Sequence, residues 1–128
     1  MAKVVEETTE NTTPKTMTAA DAVRYSAIEL IQDNNVSPTT HSDTYSFAML
    51  IVECITEEIP FSHLSHDAAV IHARVLKKQF PPRPGAQDPK DQNTVSDGLW
   101  DLMMRCWSIK PDARPTMKQV HHFLLDQA

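Results

Sequence analysis

Residues 42–55 constrain this chain most: Ser-Asp-Thr-Tyr-Ser-Phe-Ala-Met-Leu-Ile-Val-Glu-Cys-Ile. Tyr45, Phe47, Ala48, Met49, Leu50, Ile51, Val52, Cys54 and Ile55 pass all the way round a helix of 3.6-residue period. A helix that is apolar on every side belongs inside a protein, with other elements wrapped about it. Ser42 or Asp43 is the expected N-cap, a side-chain oxygen accepting from the free N–H groups of the first turn. The run falls short of the ~20 apolar residues that span a bilayer. Its length and capped start favour a helix over a buried strand. The sequence therefore predicts a central helix and requires the remaining segments to cover it.

Those segments read as helical too. Residues 1–18 are rich in Thr and Glu and carry no periodic apolar pattern, so a disordered tail is expected there. A short helix is predicted over residues 27–31, followed by a turn through Asp33, Asn35 and Pro38. Pro60 stops the central helix after residues 56–58. Asp67 is the expected cap of a second helix with Ala69, Val70, Ala73 and Leu76 on its inner face, and Lys77 and Lys78 suit its C-terminal dipole. Phe80-Pro81-Pro82-Arg83-Pro84-Gly85 then reads as an extended connector. Ser96 caps a third helix with Leu99, Leu102, Met103 and Cys106 inward. Thr116 and Gln119 form a capping box for a last helix with Met117, Val120, Phe123 and Leu124 inward. The expected fold class is mainly α: about four helices plus a short one around a buried central helix.

Composition narrows the function classes. The 128 residues suit one domain, and 41% apolar content can build a core. The net charge of −5 is spread along the chain, with no basic stripe, so nucleic acid is not an expected partner. With no signal-like or membrane-spanning apolar run, the expectation is a soluble, cytoplasmic protein with no membrane partner. Cys54 and Cys106 read as buried thiols in a reducing compartment. The six histidines show no ligand spacing: His121 and His122 are adjacent, and His63 and His66 lie by a loop. No metal site is expected.

Four pieces of sequence carry a resemblance. Arg24-Tyr25-Ser26-Ala27-Ile28-Glu29-Leu30 looks like the Ala-Pro-Glu segment that closes a kinase activation loop. Ser42-Asp43-Thr44-Tyr45-Ser46-Phe47-Ala48 looks like the Ser-Asp-Val-Tyr-Ser-Phe-Gly start of the kinase central helix. Glu58-Ile59-Pro60-Phe61 looks like the turn that follows it. Arg105-Cys106-Trp107, then Pro111-Asp112-Ala113-Arg114-Pro115-Thr116, looks like the Cys-Trp…Pro-x-x-Arg-Pro signature. In this order they resemble the C-terminal lobe of a eukaryotic protein kinase domain of the tyrosine-kinase-like group. Residues 19–128 would be that partial domain, starting at the end of the activation loop.

The resemblance implies roles for Ala27, Glu29, Asp43, Trp107 and Arg114 as structural family motifs. Glu29 would pair with Arg114, and Trp107 would cover core. Asp43 would fix a catalytic loop that this sequence does not contain. Ile28 stands where the family has Pro, and Ala48 where it has Gly. Thr16 and Thr18 resemble activation-loop phosphosites, with plain solvated hydroxyls as the alternative.

The departures bear on activity. Phosphoryl transfer in kinases needs a Gly-rich loop, a strand Lys, a catalytic Asp, and Asn and Asp groups on magnesium. Gly85 and Gly98 are the only glycines, and no His-Arg-Asp or Asp-Phe-Gly occurs. No catalytic, cofactor-binding or metal-binding residue is therefore expected in this chain, and ATP and magnesium belong to the complete family domain. The expected function is that of a kinase-domain fragment, inactive alone, with a protein substrate or partner. The alternative is a kinase-derived or pseudokinase interaction module.

Overall fold

The computed structural model describes residues 23–33, 35–85 and 94–126. In chain order its elements are α1 (Ile28–Gln32), α2 (Thr40–Thr56), α3 (Asp67–Ile71) continuing into a π-helical turn (His72–Leu76), α4 (Asp97–Cys106), a 3-10 turn (Pro111–Ala113) and α5 (Met117–Asp126). Among the described residues there is no strand, and the mainly α class holds. The expected tail over residues 1–18, with Thr16 and Thr18, lies outside the described residues.

α2 is the axis of the fold, but it begins earlier than its sequence suggests. The cap is Thr39, whose side chain accepts from the Ser42 N–H at 3.2 Å, while the Thr39 N–H donates to Ser42 Oγ at 2.7 Å. Ser42 is thus the return half of a capping box. Asp43 caps nothing; it is exposed in the first turn, where a carboxylate suits the helix dipole. Ser42 and Asp43 stand immediately before the apolar run, but Thr39 and Thr40 just upstream are equally able to cap, and the helix takes the earlier start.

The helix is also less enclosed than an all-round apolar sequence demands. Tyr45, Ala48, Met49 and Val52 form the buried stripe, at the i, i+3, i+4, i+7 spacing of one face. Leu50 is 46% exposed and Cys54 is exposed, one turn apart on another face. α4 and the 3-10 turn pack on α2, and among the described residues nothing covers the face that carries Leu50 and Cys54. Cys54 is therefore not the buried thiol expected. Cys106 is one, and burial pushes its thiol pKa up to about 11.

α2 stops at Glu57, held left-handed at φ 61° while its N–H donates to Glu53 O at 2.7 Å. A left-handed residue with a Cβ costs about 1–2 kcal/mol, which is why glycine dominates this position. Glu57→Gly should therefore raise stability by about 0.5–1 kcal/mol, after subtracting glycine's entropy in the unfolded chain. A urea melt checks it; an unchanged or lower midpoint would contradict the strain.

α3 departs from its expected pattern. Its N-cap is His66, with no side-chain cap bond, and Asp67 is the first helical residue. After Ile71 the backbone widens: the Lys77 N–H donates to His72 O at 3.1 Å, a five-residue step. The wider turn carries Leu76 off the face shared by Val70 and Ala73, leaving Leu76 70% exposed. α1 packs on this turn.

The C-terminal helices follow the sequence more closely. Ser96 Oγ accepts from the Leu99 N–H at 3.2 Å, and Leu102, Met103 and Cys106 are buried. Thr116 and Gln119 exchange the two bonds of the expected capping box, 2.9 and 3.1 Å. Val120 is buried with Phe123 and Leu124 half-buried, but Met117, at the outer end of α5, is exposed. Trp107 ends α4 and is fully buried, stacked on Phe80 at 6.0 Å and edge-on to Trp100 at 5.6 Å.

Candidate functional site

Residues 23–29 run across α2 and are tied down on every side. Residues 23–25 are helical, Ser26 bends, and Ala27, buried and extended, leads into α1. Arg24 turns inward and donates to three carbonyls of the turn after α2: Pro60 and Phe61 at 2.9 Å each, and Leu64 at 2.7 Å. The Tyr25 hydroxyl donates a short hydrogen bond to the Glu53 carboxylate on α2. Ser46 Oγ, also on α2, donates to the Tyr25 carbonyl at 3.0 Å.

A second arginine holds the start of the segment. Arg74, in the π-helical turn, donates to Val23 O and to the Tyr45 hydroxyl, both at 2.9 Å. Its guanidinium lies 5.3 Å from the Tyr45 ring centroid and 5.8 Å from that of Phe61. Arg74 is buried and among the described residues no carboxylate answers it, so the two aromatic faces and the two oxygens carry its stabilisation. Its Nε has no hydrogen-bond partner.

A third arginine holds the end. Arg114 meets Glu29 through two parallel bonds, Nη2 to Oε1 at 2.7 Å and Nη1 to Oε2 at 2.9 Å, the strong bidentate geometry. Arg114 also donates to Ser108 O at 3.0 Å and to His41 O at 3.1 Å, and lies 4.8 Å from the Tyr45 ring centroid. Its side chain is wholly buried; that of Glu29 is one-fifth exposed. Burial alone would raise the Glu29 pKa. The Arg114 hydrogen bonds, the backbone N–H and the Arg114 and His41 charges outweigh it and hold the carboxyl below its usual 4.5. Tyr45 therefore lies between two guanidiniums, Arg74 and Arg114.

Of the residues singled out in the sequence, Ala27, Glu29 and Arg114 gather at this lock. Trp107 lies in the core behind it. Asp43 is exposed and stands apart, its carboxylate hydrogen-bonded to nothing among the described residues. Sequence reasoning missed Arg24, Tyr45, Glu53 and Arg74 as members. One signal was available: Arg74 follows Val70 by four residues and so shares its inner face. The lock is a fixing device. Its guanidiniums are spent on carbonyls, a phenol and one carboxylate, and among the described residues no three His, Cys, Asp or Glu side chains converge as metal ligands.

A helical lobe in which a buried Glu–Arg pair anchors a segment across a central helix fits the lower-lobe architecture that the sequence resembles. The comparisons agree. The family model for protein tyrosine and serine/threonine kinases matches residues 1–124. The chain is 31% identical over 108 residues, 82% of its length, to a mitogen-activated protein kinase kinase kinase 7-like protein of Drosophila melanogaster. It is 33% identical over 98 residues, 77% of its length, to the proto-oncogene tyrosine-protein kinase ROS of Homo sapiens. It is 29% identical over 121 residues, 94% of its length, to ankyrin repeat and protein kinase domain-containing protein 1 of Mus musculus. The chain belongs to the protein tyrosine and serine/threonine kinase family. It spans 25%, 4% and 16% of those three relatives.

Proposed function

We propose that this chain is the scaffold and protein-docking portion of a kinase lobe, and that by itself it transfers no phosphate. The observation that carries the reading is the lock itself. Three arginines fix residues 23–29 across α2, which presents a preorganised surface for protein while supplying no reacting group. Preorganisation reduces the ordering cost of docking.

We assign the ATP and magnesium of the complete family domain to no residue of this chain. Gly85 sits in a turn against Thr94, and Gly98 lies within α4 beside Phe123. No step of phosphoryl transfer is assigned to this chain, and Asp43 is exposed with no hydrogen-bond partner for its carboxylate among the described residues.

A second reading, a kinase-derived or pseudokinase interaction module, is favoured by the exposed face of α2 with Leu50 and Cys54. An uncovered apolar face in a folded chain marks a contact surface. Both readings make protein the partner. No helix of the described residues is long and apolar enough to cross a membrane.

The test is incubation of the purified chain with γ-labelled ATP, magnesium and a general protein substrate. The expected result is transfer at the background of the no-protein control. Magnesium-dependent labelling that follows the chain through purification would overturn the proposal.

A further inference from the structure

At the C-terminal end of α2 a groove of about 470 Å³ opens between the turn that follows the helix and the proline-rich stretch over residues 81–85. That size lies within the roughly 300–1,000 Å³ of clefts that hold ligands. Val52, Thr56 and Phe61 are among the residues that line it, Val52 and Phe61 being buried. Ile59, 45% exposed, stands on one wall and the exposed Pro82 on the other.

The proline wall is stiff. Pro81 and Pro84 are buried. Between them, the Arg83 guanidinium donates to Val95 O at 2.9 Å and to the Asp97 carboxylate at 2.6 Å. Gly85 closes the wall at φ 82°, and a Cβ there would lie 2.8 Å from Thr94 Cγ2. Only glycine allows both that dihedral and that approach. The wall is formed before anything binds.

The charges lining the groove are unevenly answered. Arg83 is neutralised by Asp97. Among the described residues Glu58 meets only a neutral group, the Ser62 hydroxyl, which donates to Oε1 at 2.6 Å. The neighbouring Glu57 is also exposed. His63 also lines the groove, but among the described residues no cation pairs with Glu58, so the groove offers an unpaired carboxylate beside an apolar slot.

We propose that this groove docks an extended segment of a partner protein in which a lysine or arginine adjoins a branched aliphatic residue. The cation faces Glu58, and the aliphatic side chain enters between Ile59 and Pro82. The site shares Phe61 with the lock but uses none of its arginines, so it stands whether or not the lock serves a kinase.

The probe is a labelled octapeptide with one Arg-Leu step in an alanine–serine frame, compared with a Glu-Leu counterpart by fluorescence anisotropy on the whole chain. The Arg-Leu peptide is expected to bind at least about tenfold more tightly. Glu58→Lys should reverse that order, and Ile59→Asp should weaken both peptides about tenfold. Both side chains are exposed, so unchanged thermal melts should show that neither variant acts through folding. Equal binding of the two peptides, absence of binding, or indifference to both variants would overturn the proposal. So would sedimentation showing a dimer that Ile59→Asp dissolves, since the occupant would then be a second copy.

Discussion

Arg114→Ala is expected to lower the melting temperature by more than about 10 °C. The substitution strands the Glu29 carboxylate, removes donors from Ser108 O and His41 O, and takes a cation off the Tyr45 face. Breaking one side of a buried ion pair costs about 3–5 kcal/mol, and each kcal/mol moves the melt of a domain this size by about 4–8 °C. Glu29→Ala should cost less, because Arg114 retains its two carbonyls and the ring. The pair also sets a pH signature. The folded-state pKa of Glu29 lies below the ordinary 4.5, so its stabilisation is whole above that value and is lost as pH falls through the folded-state pKa. Melts of the parent from neutral pH into the acid range should fall more steeply than those of Glu29→Gln, which carries no titrating group. Parallel profiles would mean that the pair contributes nothing.

Trp107→Ala is the second large effect, expected to cost about 3–5 kcal/mol as the cavity left between Phe80 and Trp100 fails to close. Trp107→Phe separates packing from polarity. The indole N–H is buried with no partner among the described residues, and an unsatisfied buried donor carries a penalty of about 1–3 kcal/mol. Phenylalanine removes that penalty while keeping most of the ring contact, so its cost should be less than half that of alanine. Urea midpoints measure both. A phenylalanine variant as unstable as the alanine variant would show that the N–H is satisfied, or that the indole's full width is indispensable.

How far the sequence reaches can be seen at individual residues. Ser96, and Thr116 with Gln119, announce their helices correctly because cap signals are local and each stands alone before an apolar run. At α2 four cap-competent residues, Thr39, Thr40, Ser42 and Asp43, follow one another. Tertiary packing, which buries Ser42 and exposes Asp43, decides among them. The all-apolar surface of α2 shows that the helix is central, but burial of a given face depends on what else is present to cover it; Leu50 and Cys54 show the difference. Leu76 fits an inner face at 3.6 residues per turn, and the π-helical turn breaks that count without a sequence signal. In the lock, Glu29 and Arg114 were legible only through family resemblance, since 85 positions separate them. Arg24 and Arg74 are buried cations without carboxylate partners among the described residues, and residue type alone argues against burying them. Their partners are backbone carbonyls and ring faces, which no side-chain pattern records.

The central claim is that residues 23–29 are locked across α2 by Arg114 as in a kinase lower lobe. A double-mutant cycle tests it most directly, with Glu29→Gln, Arg114→Lys and the double variant compared by urea denaturation. These mild substitutions keep volume and leave the fold measurable. If the bidentate pair holds the segment, the two losses are non-additive, with a coupling of about 1–3 kcal/mol. Additive losses, with coupling near zero, would contradict the lock.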